Sequence, residues 1–453
     1  MSQADLTDWD KDLQAEPEEE YQALVRALHW VNGFGLYFVR CSTAEGERLI
    51  ERVRQDVSSK HIEVLKLTEP IENFYDRIKA LPNRDQLDVL FIQGIEHSLY
   101  DYEKHKLWES SKDRYGYSWK GVPRLLGHLN LSRERFKDFD ICFVFLVPRF
   151  ALRYLIHRAP DFFDWHSGVF EFVMDEEGLQ SESSKIWAEA NYKKYCLLSP
   201  QDRRDKILSV QSLLEEDQLP IDQKLGLLLE QGNLFAADQN FEAAIAAYDA
   251  ALAIKPDNHE ALNNKGIALR KLGRYEEAIA SYDAALAIKP DKHDALNSKG
   301  IALGKLGRYE EAIASYDAAL AIKPDKHDAL NNKGIALGKL GRYEEAIASY
   351  DAALAIKPDN HEALNNKGNA LGELGRYEEA IAAYDAALAI KPDNHQALYN
   401  KGYALRQLGR YEEAIAAYDA ALAIKPDYHQ ALYNKGYALR QLGRYEEAIA
   451  VGL

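Results

Sequence analysis

Along the second half of the chain, apolar and polar positions recur with a period of 34 residues, beginning near residue 225 and continuing to the last residue. Prolines, glycines and alanines each keep this period, at Pro256, Pro290, Pro324, Pro358, Pro392 and Pro426, at Gly232, Gly266, Gly300, Gly334, Gly368, Gly402 and Gly436, and at Ala244, Ala278, Ala312, Ala346, Ala380, Ala414 and Ala448. A sustained period of this length predicts stacked supersecondary units rather than one globular core.

The order of residues inside one period, 259–292, predicts a pair of helices. Asp257 followed by Glu260 resembles a capping box at the start of the first helix, and Gly273 supplies a left-handed residue that ends it. Apolar residues follow at helical spacing, at Ala261, Leu262, Ala268, Leu269 and Leu272 and then at Ala278, Ile279, Tyr282, Ala285, Leu286 and Ile288. Pro290 blocks continuation of the second helix. The small residues at which two helices must approach closely are Gly266, Ala278 and Ala285.

This order of glycine, alanine, tyrosine, alanine and proline resembles the tetratricopeptide repeat over residues 225–453. The resemblance implies an all-α solenoid, a right-handed superhelix of six full repeats and a truncated seventh, whose first helices line a groove for a partner protein. Two departures from the family pattern are leucine in place of its first large aromatic, at Leu262, Leu296, Leu330, Leu364, Leu398 and Leu432, and a lysine, Lys265 and its equivalents, where a hydrophobic residue is usual.

Residues 18–175 follow a different pattern, in which short runs rich in Val, Ile and Phe alternate with helical stretches. The runs are residues 35–41, 62–67, 89–93, 141–147 and 169–173, and the helical stretches lie near 18–31, 44–58, 69–81, 121–138 and 149–158. This alternation predicts an α/β domain with a five-stranded parallel sheet covered on both faces. Residues 176–222 then read as a helical connector, with a polar loop over 175–184 and a helix over 199–216, before the repeat array at 223–453.

A parallel sheet of this kind binds ligands at the carboxyl ends of its strands, so the first turn is the place to look for a phosphate loop. Only Gly46 remains of that motif, while Glu47 stands where its lysine belongs and Arg48 where its Ser or Thr belongs. The third strand ends at Gln93 without the acidic pair that would hold Mg²⁺, and Glu96 is out of place. The sequence therefore predicts no enzymatic activity and no bound cofactor.

The strand and helix order, with residues 129–134 before the fourth strand and 159–165 after it, resembles the P-loop ATPase core of STAND-type (AAA-related) proteins over residues 20–175. The resemblance implies a degenerate P-loop-like domain that joins a repeat array. An unrelated α/β domain is the alternative, because likeness of fold is a loose basis for function.

The net charge is −16, and residues 1–20, with eight acids and one base, contribute −7 of it. We interpret residues 1–17 as an acidic disordered tail. Clustered Lys and Arg are missing, which argues against nucleic-acid binding, and no apolar run reaches the length of a membrane span. Three cysteines without paired spacing, Cys41, Cys142 and Cys196, fit reduced residues of a cytoplasmic protein.

Two kinds of chemistry are weighed and set aside. Histidines recur at the repeat starts, at His259, His293, His327, His361, His395 and His429, but successive units lie about 10 Å apart, too far for a shared metal. A Cys–His peptidase needs a thiolate beside an imidazole, and none of the cysteines has a matching His signature nearby. We therefore predict no metal site and no catalytic residues.

The groove face of the first helices is the predicted partner-binding site. Its varying positions are Asn263, Arg270, Asn297, Asn331, Asn365, Asn369, Tyr399, Tyr403, Arg406, Tyr433, Tyr437 and Arg440. Tyr and Arg dominate the energetics of many interfaces. The alternative is that these tyrosines and arginines stack on each other between repeats and bind nothing.

These observations predict a protein–protein interaction scaffold or adaptor that binds a partner segment in the concave groove. The alternative is a nucleotide-responsive STAND-type signalling or defence regulator in which the repeats act as the sensor. Because the seventh repeat stops inside its second helix, we also expect Tyr418, Leu422 and Ile424 to be incompletely shielded and the uncapped C-terminal repeat to favour self-association.

Overall fold

The computed structural model describes residues 16–100, 123–172, 174–216 and 218–451. The chain forms two compact units, Met1–Ala268 and Leu269–Leu453. Most of the predicted acidic tail, residues 1–17, lies outside the described residues.

The first unit contains the predicted five-stranded sheet. Its strands are β1 (Gly35–Arg40), β2 (Ile62–Lys66), β3 (Val89–Gln93), β4 (Cys142–Val147) and β5 (Gly168–Glu171). All four strand pairs are parallel, in the order β2-β3-β4-β1-β5. Every residue of β1, β3 and β4 is buried, as expected of central strands that are covered on both faces. The strand predictions are confirmed to within two residues, except at Val173, which lies outside the described residues.

Helices cover both faces of the sheet, as predicted. One face packs against α1 (Pro17–Trp30) and α2 (Thr43–Asp56) through a core that includes Leu24, Val53 and Val144. The other face carries aromatic residues: the ring of Phe145 lies 5.4 Å from the rings of both Phe38 and Phe74. The helices on this side are α3 (Phe74–Lys79), α4 (Arg124–Ser132), α5 (Arg149–Arg158) and α6 (Pro160–Phe163).

The predicted helix over 121–138 is interrupted. It comprises α4 followed by a 3₁₀ helix, Arg133–Phe139, and residues 121–122 lie outside the described part of the chain. Asp140 ends this segment with a left-handed φ of 55°.

The predicted polar loop over 175–184 is wrong. Residues Glu176–Glu189 form helix α7, because the side chain of Asp175 accepts a hydrogen bond from the backbone N–H of Gly178 at 2.7 Å and caps the helix. Two further helices, α8 (Tyr192–Leu197) and α9 (Pro200–Leu214), complete the connector. Ser199 caps α9 one residue before its proline, as the Ser-Pro pair predicted.

The periodic segment consists of helical hairpins, which confirms the interpretation of the 34-residue period. The paired helices of successive repeats are α10 (Ile221–Ala237) and α11 (Phe241–Ile254), α12 (His259–Lys271) and α13 (Tyr275–Ile288), α14 (His293–Lys305) and α15 (Tyr309–Ile322), α16 (His327–Lys339) and α17 (Tyr343–Ile356), α18 (His361–Glu373) and α19 (Tyr377–Ile390), α20 (His395–Gln407) and α21 (Tyr411–Ile424), and α22 (His429–Gln441) and α23 (Tyr445–Ala450).

A glycine over a tyrosine ring sets the spacing inside each hairpin. A Cβ atom added at Gly334 would lie 2.5 Å from Cε1 of Tyr350, and Gly300 stands in the same relation to Tyr316. Ala278 and Ala285 are fully buried, as their predicted role in close helix approach requires. Gly273, with a φ of 78°, is the left-handed residue predicted after the first helix.

The helix start differs from the predicted capping box. Asn258, not Asp257, caps α12, and its side chain accepts hydrogen bonds from the backbone N–H groups of Glu260 and Ala261, both at 3.0 Å. Asn360 and Asn394 cap the equivalent helices of later repeats. A lysine or tyrosine occupies this position in the other repeats, and in the described residues these side chains form no capping hydrogen bond: Lys292, Lys326 and Tyr428.

The unusual lysine of each repeat has a partner. Lys333 lies 2.5 Å from a carboxylate oxygen of Asp317 in the preceding repeat, and Lys299 forms the same pair with Asp283. The side chain of Lys333 is 26% exposed, so its aliphatic part covers apolar surface while its ammonium group reaches the carboxylate. The departure from the family pattern thus replaces an apolar contact with an ion pair between repeats.

Candidate functional site

Asparagines from successive first helices line a polar cavity in the second unit. The cavity, of about 420 Å³, is bordered by Asn331, Asn332, Ile335, His361, Glu362, Asn365, Asn366, Lys391, Asp393, Asn394 and His395. Two of the predicted partner-binding residues, Asn331 and Asn365, therefore face the same space. They occupy equivalent positions of α16 and α18, because a helix places residues at equal intervals from its start on the same face.

The predicted asparagines also link neighbouring repeats. Asn366 donates a hydrogen bond from Nδ2 to Oδ1 of Asn331 at 3.3 Å, and Asn332 donates one to Asn297 at 3.4 Å. Oδ1 of Asn365 is buried and has no hydrogen-bond partner among the described residues. Asn331 is only 8% exposed. The asparagine row, formed by Asn297, Asn331, Asn365 and the asparagines beside them, thus links successive first helices through hydrogen bonds.

The other predicted binding residues of the earlier repeats, Asn369, Asn263 and Arg270, differ in how far they are exposed to solvent. Asn369 is exposed and accepts hydrogen bonds at 2.8 Å from both Tyr384 and Asn400. In the first unit Asn263 is buried, and its Nδ2 donates to Asn264 at 3.1 Å. Arg270 is half-buried.

Tyr399 belongs to the packing between the last two repeats. Its ring lies 5.0 Å from that of Tyr428 and 6.0 Å from that of Tyr418, and its hydroxyl oxygen accepts a hydrogen bond from Asn434 at 3.0 Å. Burial raises the pKa of Tyr399. Tyr418, which we expected to be incompletely shielded, is 0% exposed, like its equivalents Tyr316, Tyr350 and Tyr384 of the earlier repeats at 3%.

The other predicted binding residues of these two repeats are exposed, apart from the half-buried Arg406. Tyr403, Tyr433 and Tyr437 are 40%, 60% and 39% exposed. The guanidinium carbon of Arg406 lies 4.9 Å from the centre of the Tyr403 ring and 5.0 Å from that of Tyr437. We call Tyr403, Arg406, Tyr433, Tyr437 and Arg440 the Tyr–Arg patch. It places all five residues on the face that bears the asparagine row in earlier repeats.

The arginines of the second helices behave differently from those of this patch. Arg410 lies 2.6 Å from Glu413, and Arg376 pairs with Glu379 at 2.5 Å and Glu344 at 3.4 Å. Arg406 and Arg440 form no ion pair with any of the described residues. The patch therefore carries two positive charges without a neighbouring carboxylate, and the stacking on tyrosine rings orients one of them.

The turn that the sequence predicts to be a degenerate phosphate loop lies at the carboxyl ends of the strands. This turn carries Glu47 where the motif requires a lysine. Ser42 caps α2 by accepting a hydrogen bond from the N–H of Glu45 at 3.2 Å. Glu47 is engaged by Lys66, 2.8 Å away. A Cβ at Gly46 would meet the Cys41 sulfur at 3.2 Å, so this turn packs tightly onto the sheet.

Helix α9 covers the same edge of the sheet. Gln201 donates a hydrogen bond to the backbone carbonyl of Thr68, and Asp205 lies 3.6 Å from His97. Glu96, two residues beyond the left-handed Gly94, is 9% exposed, and burial raises its pKa to about 7. The sequence showed a carboxylate here but gave no signal that α9 would bury it, because that contact joins residues more than 100 positions apart.

A cavity of about 310 Å³ lies between the start of α2 and the connector helices. Ser42, Thr43 and Glu47 border it on one side, and Tyr195 and Lys206 on the other. Tyr195 donates a hydrogen bond to Glu230 at 2.9 Å, and Lys206 is held by Glu189. The polar groups around this cavity are thus largely paired with each other.

Other predicted features are located as follows. The described residues contain no cluster of His, Cys, Asp and Glu that could hold a metal ion. Cys41 and Cys142 are buried and Cys196 is exposed, and burial raises the pKa of Cys142 to about 12. Over the described ranges, no helix combines the length and the apolar character that crossing a bilayer requires.

Comparison with known families supports the repeat assignment. One tetratricopeptide repeat model matches residues 229–293, 297–361 and 365–429, and a second matches 417–450. No curated protein matches the chain.

Among solved structures, MamA is similar at 25% identity, with 36% of this chain and 94% of that chain covered and a TM-score of 0.35. YrrB, described as a TPR protein with an unusual peptide-binding site, is similar at 25% identity, with 42% of this chain and 97% of that chain covered and a TM-score of 0.37. A tetratricopeptide repeat protein from Parabacteroides merdae ATCC 43184 matches at 17% identity over 58% and 98%, with a TM-score of 0.43. The family matches, together with the observed hairpins, establish that the array over residues 229–450 is built of tetratricopeptide repeats.

Proposed function

We propose that this protein is a scaffold or adaptor whose repeat array binds a segment of a partner protein along its first helices. The supporting observation is the polar cavity that Asn331 and Asn365 share with Ile335 and Glu362. The packed faces of the same helices bury alanine and leucine, as at Ala329 and Leu337. A polar face that carries a cavity suits an extended ligand more than another helix of the array.

Asparagine is well matched to a peptide backbone. Its side-chain amide provides an acceptor and two donors, the same groups that an extended main chain presents. The amides of Asn331 and Asn366 already share one hydrogen bond at 3.3 Å, which fixes their orientation before a ligand arrives. Preorganised groups lose less entropy on binding. The aromatic patch of the last two repeats then provides the residue types that contribute most to affinity.

For the first unit we propose a non-enzymatic role in a degenerate P-loop-like domain. The parallel sheet fits that resemblance, and the ion pair of Glu47 with Lys66 places a carboxylate at the turn where a triphosphate needs a cation. The contact of α9 with Thr68 and His97 occupies the carboxyl edge of β2 and β3. We further propose a cytoplasmic location, a right-handed superhelix for the array and no nucleic-acid partner.

A peptide-display selection tests the scaffold proposal. The full-length chain is immobilised and challenged with a random library of twelve-residue peptides, and the same library is applied to an Asn331→Ala/Asn365→Ala variant. We expect enrichment of a common motif on the parent chain and its loss on the variant. As a matched control, Ala348→Ser/Ala352→Ser changes exposed positions of α17, a second helix, and should select the same motif as the parent. Equal enrichment on all three chains would contradict groove binding.

A further inference from the structure

The chemistry of the groove changes between the fifth and the sixth repeat. At the second position of the first helix, the third to fifth repeats carry acids, Asp294, Asp328 and Glu362, whereas the last two carry Gln396 and Gln430. Glu362 borders the polar cavity, which places this position on the groove. The carboxylates at this position, of which Asp294 is paired with Lys326, are thus replaced by neutral amides toward the end of the array.

The twelfth position of the first helix gains a positive charge between the fifth and the sixth repeat. The twelfth position is Gly304, Gly338 and Gly372 in the third to fifth repeats and becomes Arg406 and Arg440 in the last two. Within the described ranges neither arginine has an acidic partner, in contrast to Arg410, which is held by Glu413 at 2.6 Å. A guanidinium without a counterion in a neutral surrounding is a strong site for a carboxylate, which it can bind with two parallel hydrogen bonds.

Two tyrosine rings contact the guanidinium group of Arg406 and restrict its orientation. The guanidinium carbon of Arg406 lies 4.9 Å from the centre of the Tyr403 ring and 5.0 Å from the centre of the Tyr437 ring. Stacking of this kind occupies the faces of the guanidinium and leaves its N–H edge available in the plane. Arg406 is half-buried, and its Nε is buried without a hydrogen-bond partner among the described residues, so the rest of the guanidinium is the part that a ligand could contact. Tyr433, 60% exposed, offers a further ring to an extended chain.

From these observations we infer that the Tyr–Arg patch binds an acidic, extended segment of the partner protein, with carboxylates on Arg406 and Arg440 and the intervening chain against the tyrosine rings. This inference rests on the proposed function and names the chemistry of its ligand. Gln396 and Gln430 replace the carboxylates of the middle repeats at the second position, so no acid at that position opposes the segment in the last two repeats.

Three labelled peptides of equal length test the inference by fluorescence anisotropy with the full-length chain: (Pro-Glu)₆, (Pro-Gln)₆ and (Pro-Lys)₆. Proline keeps each peptide extended and suits aromatic grooves. We expect (Pro-Glu)₆ to bind about tenfold more tightly than (Pro-Gln)₆ at low salt. Arg406→Gln/Arg440→Gln should abolish that preference, and 1 M NaCl should reduce it because screening then acts within about 3 Å. Arg410→Gln, which removes a paired arginine of the sixth repeat, is the matched control and should leave the preference intact.

Several outcomes would overturn the inference. They are equal binding of the glutamate and glutamine peptides, a glutamate preference that survives the double substitution, and the same loss in the Arg410→Gln control. If only a phosphoserine peptide or a U₁₂ oligonucleotide binds the patch, the carboxylate ligand is likewise refuted. Binding of (Pro-Gln)₆ that is lost in Asn331→Ala/Asn365→Ala would leave groove binding standing while the acidic ligand fails, so the two proposals are distinguished. Melting curves of each variant confirm that it is folded.

Discussion

Two glycines of one helix provide an internal test of how the hairpins pack. Gly334 and Gly338 both lie inside α16, four residues apart. A Cβ at Gly334 would lie 2.5 Å from Cε1 and 2.8 Å from Cζ of Tyr350, whereas a Cβ at Gly338 would meet no atom of the described residues within 4 Å. Alanine therefore brings the same gain in helix propensity at both sites but a steric clash at only one.

The magnitudes follow from these contacts. Replacing an interior helical glycine by alanine stabilises by about 0.8–1.0 kcal/mol. Inserting a methyl group into a packed interface costs about 1–3 kcal/mol, and Tyr350 is only 3% exposed, so its ring has little room to move. We expect Gly338→Ala to stabilise the array by roughly 1 kcal/mol and Gly334→Ala to be less stable than Gly338→Ala by roughly 1–3 kcal/mol.

Thermal unfolding followed by circular dichroism measures the difference, together with hydrogen exchange of the amides in α16, because a repeat array can unfold in parts. One kcal/mol corresponds to a melting shift of roughly 2–4 °C for an array of this size. Equal shifts for the two variants would refute the close approach of the glycine to the tyrosine ring and with it the account of hairpin spacing.

Three further predictions concern caps, core and pH. Lys292→Asn should restore the missing helix cap and stabilise by about 1 kcal/mol, while Asn360→Lys should destabilise by a similar amount in denaturant titrations. Ala312→Leu, at a fully buried position, should destabilise by about 1–3 kcal/mol, and Ala314→Leu, at an exposed position of the same helix, should change the melting temperature little. Burial raises the pKa of Glu96 from 4.5 to about 7. The stability that its neutral carboxyl contributes is therefore complete below pH 4.5 and is lost as pH rises through about 7. Glu96→Gln should reduce the dependence of the unfolding free energy on pH between pH 5 and 8, and an unchanged slope would contradict the burial of this carboxyl.

The sequence predicted the periodic half of the structure in detail because each repeat restates the same local signals. Glycine, tyrosine and proline at fixed offsets specified the hairpin, and the steric relation of Gly334 to Tyr350 follows from that order. The helix cap was misplaced by one residue, since Asp257 and Asn258 are both favourable caps and only the backbone decides between them. The five strands were predicted because buried parallel strands form continuous apolar runs.

Long-range contacts were not predictable in the same way. Tyr399 packs 5.0 Å from Tyr428, which replaces the usual cap residue in one repeat. A sequence pattern marks Tyr399 as an interface residue but cannot tell a partner protein from a neighbouring repeat. The contact of α9 with His97 and Thr68 likewise arises only in the folded chain.

The central claim is that a partner segment lies along the first helices, and site-specific photo-crosslinking tests it most directly. A photoreactive benzoylphenylalanine replaces either Ile335, which borders the groove cavity and is 40% exposed, or Ala348, which is exposed on a second helix of the same repeat. After irradiation in cells that produce the full-length chain, we expect a discrete crosslinked partner from position 335 and none of that mass from position 348. The same adduct at equal yield from both positions, or from position 348 alone, would contradict the account.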